Sequence, residues 1–206
     1  MYRYTTPGII RAVDPFLIWK MKNEKDRTLY LTFDDGPHPT ITPWVLEILK
    51  KYQAKATFFC VGENVRKYPE VYQRILNEGH QVGNHTNNHL NGWNNPNDHY
   101  YGNIETCSET VSSKLFRPPY GKITPAQAIH LRKKGFRIVM WSILSRDFQV
   151  DLNLDESLQA IIDESETGHI IVFHDSEKSQ ANLEYLLPRY LNHFSQEGFQ
   201  FDIIDL

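Results

Sequence analysis

Thr28-Leu29-Tyr30-Leu31-Thr32-Phe33-Asp34-Asp35-Gly36-Pro37 begins as an apolar, β-branched and aromatic run and ends in an acidic pair before a turn. The run reads as a strand, and the pattern recurs along the chain. Strands are expected at 28–34, 56–61, 80–84, 115–118, 136–143, 169–174 and 199–204. Helical spacing fills the intervals at 43–52, 64–78, 98–113, 125–134, 155–166 and 182–197, and a short N-terminal helix is expected at 7–20. Thr42-Pro43 and Thr124-Pro125 each place a capping hydroxyl before a proline suited to the first helical position. Gly79, Gly135, Gly168 and Gly198 each follow a helical run and precede a strand, as left-handed helix stops do. Strand–helix alternation of this kind implies an α/β fold with a mainly parallel sheet. Seven strands with six intervening helices suit a barrel slightly smaller than the eightfold one. An open doubly wound sheet fits the same alternation.

Composition narrows the function. The 206 residues are 40% hydrophobic and 23% charged, which excludes disorder and a collagen-like fibre. No repeat or long linker divides them. A net charge of −3 argues against a nucleic-acid partner, which calls for clustered Lys and Arg. Cys60 and Cys107 can form at most one bridge, and reading them as reduced, packed thiols favours the cytoplasm. No apolar run is long enough to cross a bilayer, so no membrane partner is expected. The opening MYRYTTPGIIRAVDPFLIWKMK is broken by Arg11 and Asp14 and has no small-residue cleavage site, so it does not read as a signal peptide.

The chemistry-bearing residues gather at strand ends. Asp34-Asp35 ends the first strand, His85-Thr86-Asn87-Asn88-His89 follows the third, and Arg117-Pro118-Pro119-Tyr120-Gly121 ends the fourth. Ser145-Arg146-Asp147-Phe148 follows the fifth, and His174-Asp175 ends the sixth. In parallel α/β folds the carboxyl ends of the strands share one face, where active sites are built. Two imidazoles spaced as His85 and His89 reach one side of a helical turn, and with a carboxylate they suit a divalent cation such as zinc. Alone, the pair is equally at home as two surface histidines. The metalloprotease signature fails, because Thr86 stands where it needs Glu. Asp34 and Asp35 point to opposite faces if the strand continues through them, so one can ligate while the other accepts a proton. Turn chemistry alone would account for Asp35-Gly36-Pro37, but not for Asp34 behind an apolar run. Arg117, if buried, needs a carboxylate such as Asp34. His174 ends a buried-looking strand, which suits either a core histidine or acid–base work.

Thr32–Pro37 (TFDDGP), His85–His89 (HTNNH), Arg117–Gly121 (RPPYG) and Val172–Asp175 (VFHD), in this order, resemble the polysaccharide deacetylase family, the NodB-like domain of carbohydrate esterase family four. The resemblance runs from about Thr28 to the C-terminus, leaving 1–27 as an N-terminal extension and 28–206 as the catalytic domain. It implies a distorted (β/α)7-type barrel and metal-dependent hydrolysis of N-acetyl groups from amino sugars or their oligomers and polymers. By position, Asp35, His85 and His89 would hold the metal, zinc foremost, with Co2+, Ni2+ or Mn2+ as alternatives. Asp34 would be the general base, oriented by Arg117. His174 would be the general acid, kept charged by Asp147. Tyr120, through its backbone N–H, and Pro119 beside it would serve the oxyanion, Val172 would line the slot for the acetyl methyl, and Thr86 would steady the ligand loop. The partner so implied is an acetylated saccharide.

One motif departs from the family. Where its members resemble Asp-x-x-Asp-Trp, this chain has Leu144-Ser145-Arg146-Asp147-Phe148. The carboxylate expected to meet His174 is kept, while the substrate wall at Leu144 and Phe148 differs. Another amide or an acetyl ester, as in acetylxylan esterases, would suit the same centre. A saccharide-binding module without activity is disfavoured, because base, ligands and acid are all present together.

Overall fold

The computed structural model describes residues 4–5, 16–22 and 27–206. Eight strands are found among them: β1 Thr28–Asp34, β2 Ala56–Cys60, β3 Gln81–Asn84, β4 Leu115–Phe116, β5 Arg137–Ile138, β6 Ile143–Leu144, β7 Ile170–His174 and β8 Gln200–Phe201. Every pairing between them is parallel. The order is β5-β4-β3-β2-β1-β7-β6, with β8 paired to the start of β1. Seven α-helices accompany them: α1 Ile41–Lys51, α2 Gly62–Lys67, α3 Pro69–Asn77, α4 Asn97–Ser108, α5 Pro125–Lys133, α6 Leu154–Asp163 and α7 Gln180–Gln196. The curled parallel sheet with its helices is the expected distorted (β/α)7 barrel rather than an open sheet.

The alternation of side chains along β1 sets up everything above it. Leu29, Leu31 and Phe33 face the helices and pack with Val45, Leu46 and Leu49 of α1 and with Leu186, Leu187 and Tyr190 of α7. Tyr30 faces the opposite way, into a smaller interior cluster with Phe59, Leu115, Val139, Ile170 and Ile204. Thr32 and Asp34 continue that inner row upward, so the strand's last residue emerges at the mouth of the barrel.

Several sequence expectations need correcting. The strand expected at 136–143 divides into β5 and β6, because Val139 and Met140 turn away to pair with Ile18. The backbone N–H of Ile18 donates to Ile138 O at 2.9 Å, and that of Met140 to Ile18 O at 2.7 Å. Phe16 and Leu17 accordingly form a turn and bend, and Ile18 and Lys20 make isolated bridges rather than helix, while residues 7–15 of that expected helix lie outside the described residues. The helix expected at 64–78 breaks into α2 and α3 at Tyr68-Pro69, since a residue before proline is pushed out of the helical region and Tyr68 has φ −131°. Thr42 does not cap α1; the helix starts at Ile41 and the hydroxyl is used elsewhere.

The cap at Thr124 is as expected. Its Oγ1 accepts from Gln127 N, and the Gln127 side chain accepts from Thr124 N, closing a capping box ahead of Pro125. Thr124→Ala should cost about 0.5–2 kcal/mol in chemical denaturation without changing turnover. The four glycine stops all have positive φ, from 76° to 86°. No helix among the described residues is long and apolar enough to cross a membrane.

Candidate active site

The strand ends do converge, around a cavity of about 530 Å³. Asp34, Asp35, His85, His89 and His174 line one part, and Tyr120, Trp141, Leu144, Phe148, Val172 and Lys178 line the rest. Arg117 and Asp147 stand one layer behind, both fully buried. Pro119 is buried beneath the turn and does not reach the cavity wall, because the turn carries Tyr120 outward instead. Lys178 had no signal in the sequence beyond its nearness to His174. It lies over the Phe148 ring, 5.3 Å from the centroid.

β1 stops at Asp34, and Asp35 takes a left-handed conformation with φ 80°. The two carboxyls are therefore parted by a turn and not by strand alternation, as the sequence had suggested. His85 and His89 likewise sit on an irregular turn rather than a helix, with Thr86 at φ 64° and His89 at φ 59°. Positive φ is rare for a β-branched residue and needs local support. Thr86 has it: its N–H donates to Asn84 Oδ1 at 2.9 Å, its O accepts from Gly62 N at 3.1 Å, and its Oγ1 accepts from Leu90 N at 2.8 Å. The turn brings the imidazoles to a centroid separation of 5.1 Å.

One donor atom from each of Asp35, His85 and His89 lies within 4.8 Å of the others. Asp35 Oδ1 is 3.2 Å from His89 Nε2 and 3.7 Å from His85 Nε2, yet it is buried and makes no hydrogen bond of proper geometry. An orphaned carboxylate oxygen facing two imidazole nitrogens is a donor set that fits a divalent cation. The histidines are prepared for it. His85 Nδ1 donates to Arg117 O at 2.8 Å, which turns the Nε2 lone pair toward Asp35. Burial pushes its pKa down to about 4, so it is the neutral ligand form at pH 7. His89 Nδ1 meets the Tyr120 hydroxyl at 3.1 Å. Burial alone would raise the Asp35 pKa, but the neighbouring imidazoles of His89, His174 and His85 hold it well below the usual carboxylate range.

Two charge pairs flank this cluster. Arg117 Nη1 donates at 2.7 Å to both Asp34 Oδ1 and Thr32 Oγ1, while Nη2 and Nε donate to the carbonyls of Met140 and Val139. Its guanidinium lies 4.1 Å above the Phe59 ring. Four of its five N–H groups are engaged, which fixes the guanidinium and the Asp34 carboxylate against each other. On the other side His174 Nδ1 donates to Asp147 Oδ1 at 2.7 Å, and Asp147 Oδ2 accepts the backbone N–H of His174 at 2.8 Å. Burial works against the imidazolium, but the Asp147 carboxylate outweighs it and raises the His174 pKa to about 9. The arrangement holds a carboxylate and a protonated imidazole on the same cavity as a metal-type donor set, which is the equipment of metal-assisted hydrolysis.

Comparison with known proteins agrees with that chemistry. The polysaccharide deacetylase family model matches residues 21–139, which include the first three motifs. A peptidoglycan-N-acetylglucosamine deacetylase of Bacillus cereus is 31% identical over 90% of this chain and 90% of its own. A chitooligosaccharide deacetylase of Azorhizobium caulinodans is 33% identical over 74% of this chain and 75% of its own. Among solved structures, a peptidoglycan N-acetylglucosamine deacetylase in complex with 4-naphthalen-1-yl-N-oxidanyl-benzamide superposes with a TM-score of 0.85 at 30% identity, covering 97% of this chain and 95% of that one. A family 4 carbohydrate esterase from Streptomyces lividans, in complex with acetate, gives 0.76 at 27% identity, covering 86% and 93%. Similarity that carries across nearly the whole length, in sequence and in backbone, establishes that the chain belongs to the polysaccharide deacetylase family.

Proposed function

We propose that the protein is a metal-dependent hydrolase that removes N-acetyl groups from N-acetylated amino sugars or their oligomers, releasing acetate and a free amine. The observation that carries the reading is the orphaned Asp35 Oδ1 facing His85 and His89, between a carboxylate held by Arg117 and an imidazolium held by Asp147. Relatives described as deacetylases of peptidoglycan and of chitooligosaccharides support the substrate class. The catalytic unit is taken as residues 28–206, with 1–27 an extension whose described part joins the sheet. The free, buried thiols of Cys60 and Cys107 support a reducing compartment.

Asp35, His85 and His89 would hold the cation, zinc being the best match to two imidazoles and one carboxylate. Such an ion supplies Lewis acidity toward a carbonyl and makes water a better nucleophile. Asp34 takes the proton of the attacking water, and Arg117 keeps its carboxylate aimed. The backbone N–H of Tyr120 donates to the oxygen on which negative charge develops. His174 gives its proton to the departing nitrogen as the C–N bond breaks. Val172, Leu144 and Phe148 supply an apolar wall for the acetyl methyl, and Trp141 a face for the sugar.

Purified protein should take up about one divalent ion per chain. His85→Ala and His89→Ala should each lose most of it, measured by elemental analysis after dialysis. Metal content equal to the parent in both variants would refute the ligand assignment. Acetate release should then be measured on acetylated chitooligosaccharides, muropeptides and acetylated xylan. Release from xylan alone would move the reading from amides to esters.

A further inference from the structure

The turn that carries Asp35 is held almost entirely from outside itself. The Asp34 carbonyl accepts the backbone N–H of Asp175 at 3.2 Å, and the Asp35 carbonyl accepts from Asn64 Nδ2 at 2.8 Å. The Gly36 N–H donates to Asp175 Oδ1 at 3.1 Å, and the Gly36 carbonyl accepts from Val61 N at 2.9 Å. Asp175 thus grips the turn twice, once through its backbone and once through its carboxyl. Its other oxygen, Oδ2, accepts the Thr42 hydroxyl, and Thr42 Oγ1 in turn accepts the N–H of His38 at 2.7 Å. The carboxyl therefore ties β7 to the loop after β1 and to the first turn of α1.

The fit is close. A Cβ on Gly36 would lie 2.2 Å from Asp175 Oδ2, so only glycine lets the carboxyl rest against the turn. Asp175 is 1% exposed and makes no ion pair among the described residues. A buried acid without a cation is costly, and an apolar residue would serve better if packing were its purpose. Burial raises its pKa to about 8. Asp35 meanwhile keeps a φ of 80°, a conformation that a non-glycine residue holds only when its surroundings impose it.

We infer that Asp175 is a positioning residue for the metal site, its carboxyl fixing the Gly36 N–H and thereby the left-handed turn that aims Asp35 at His85 and His89. The inference rests on the reading of Asp35 as a metal ligand. Groups that orient ligands are worth about 10–100-fold in metal affinity when lost.

Co2+ affinity, measured by competition with a chromophoric chelator, and the visible absorption of the Co2+-loaded protein provide the test. Asp175→Ala should weaken Co2+ by about 10–100-fold and change its absorption bands. Asp175→Asn should stay close to the parent, because its Oδ1 can still accept from Gly36 and its Nδ2 can donate to Thr42. Leu186→Ala, a core change in α7, serves as the control: it should lower the melting temperature and leave Co2+ affinity and absorption unchanged. Parent-like Co2+ binding by Asp175→Ala would overturn the inference, as would equal weakening by Leu186→Ala. Should Asp175→Ala fail to fold, Thr42→Val takes its place; it should weaken Co2+ severalfold, and an unchanged affinity would overturn the inference. Asp35→Asn separates the two levels. If it binds Co2+ like the parent, the ligand assignment itself fails; if it loses the ion while Asp175→Ala does not, only the positioning role fails.

Discussion

Asp34→Asn is expected to retain the metal ion while losing about 10²–10⁴-fold of turnover, the usual worth of a positioned general base. The amide is nearly isosteric, and its oxygen can still accept from Arg117 Nη1, which now donates to Asp34 Oδ1 at 2.7 Å. What it lacks is a basic lone pair for the proton of the attacking water. Asp35→Asn should behave in the opposite way, weakening the ion first and activity in consequence. Metal content and acetate release measured on both variants decide between the neighbours, and a reversed pattern would exchange their roles. Some loss of stability accompanies Asp34→Asn, because Arg117 is fully buried and Asp34 is its counter-charge. A melting curve therefore belongs beside the kinetics.

Asp147→Asn should lower turnover within the same range of about 10²–10⁴-fold and shift the alkaline limb of the pH–rate profile to lower pH. In the parent, Asp147 raises the His174 pKa to about 9, so the imidazole keeps its proton throughout the neutral range. Without the carboxylate, burial is opposed only by the lesser effects of Asp35 and Asp34, and the balance moves toward the neutral imidazole. The acid form then disappears at lower pH, and the limb follows it. Stability has its own signature. A folded-state pKa raised above the unfolded value near 6.5 gives stability that is fully present below about pH 6.5 and is lost as pH rises through about 9. That pH-dependent loss should be missing from the variant. Leu144→Ala should leave the limb in place, since no carboxylate stands there. An unmoved limb in Asp147→Asn would mean that another group keeps His174 charged.

The convergence of the site was legible because composition changes abruptly where these strands end. Asp34 behind Tyr30–Phe33 and His174 behind Ile170–Phe173 can be read without coordinates, and a parallel sheet brings such ends together. The local conformations were not legible. Asp35-Gly36-Pro37 reads as a turn, but not as one that sets Asp35 against two imidazoles; that placing comes from Asn64 and Asp175, distant in sequence, and the positive φ of Thr86 from Asn84, which lies outside any motif. Thr42 looked like a cap because Thr before Pro usually is one, but its hydroxyl is claimed by a residue 133 positions away. Pro69 did carry the signal that α2 and α3 are separate helices, and apolar spacing across it masked the break. The gap between β5 and β6 was invisible for a different reason: the residues that fill it come from the other end of the chain, at Ile18.

The place of β1 at the centre of the sheet governs the order in which this protein can be completed. Its partners are β2, close behind it, and β7 and β8, which come from the last fifth of the chain. The register that aligns Asp34 with His174 joins residues on opposite sides of nearly the whole intervening sequence. Residues 28–174 must therefore all have emerged from the ribosome before one edge of the first strand can be covered. Until then that edge offers unpaired backbone N–H and C=O groups to any neighbouring chain. Non-local pairing of this kind slows folding and lengthens the exposure to aggregation. Chains halted before residue 170 should accumulate as insoluble or chaperone-bound material, and none should release acetate.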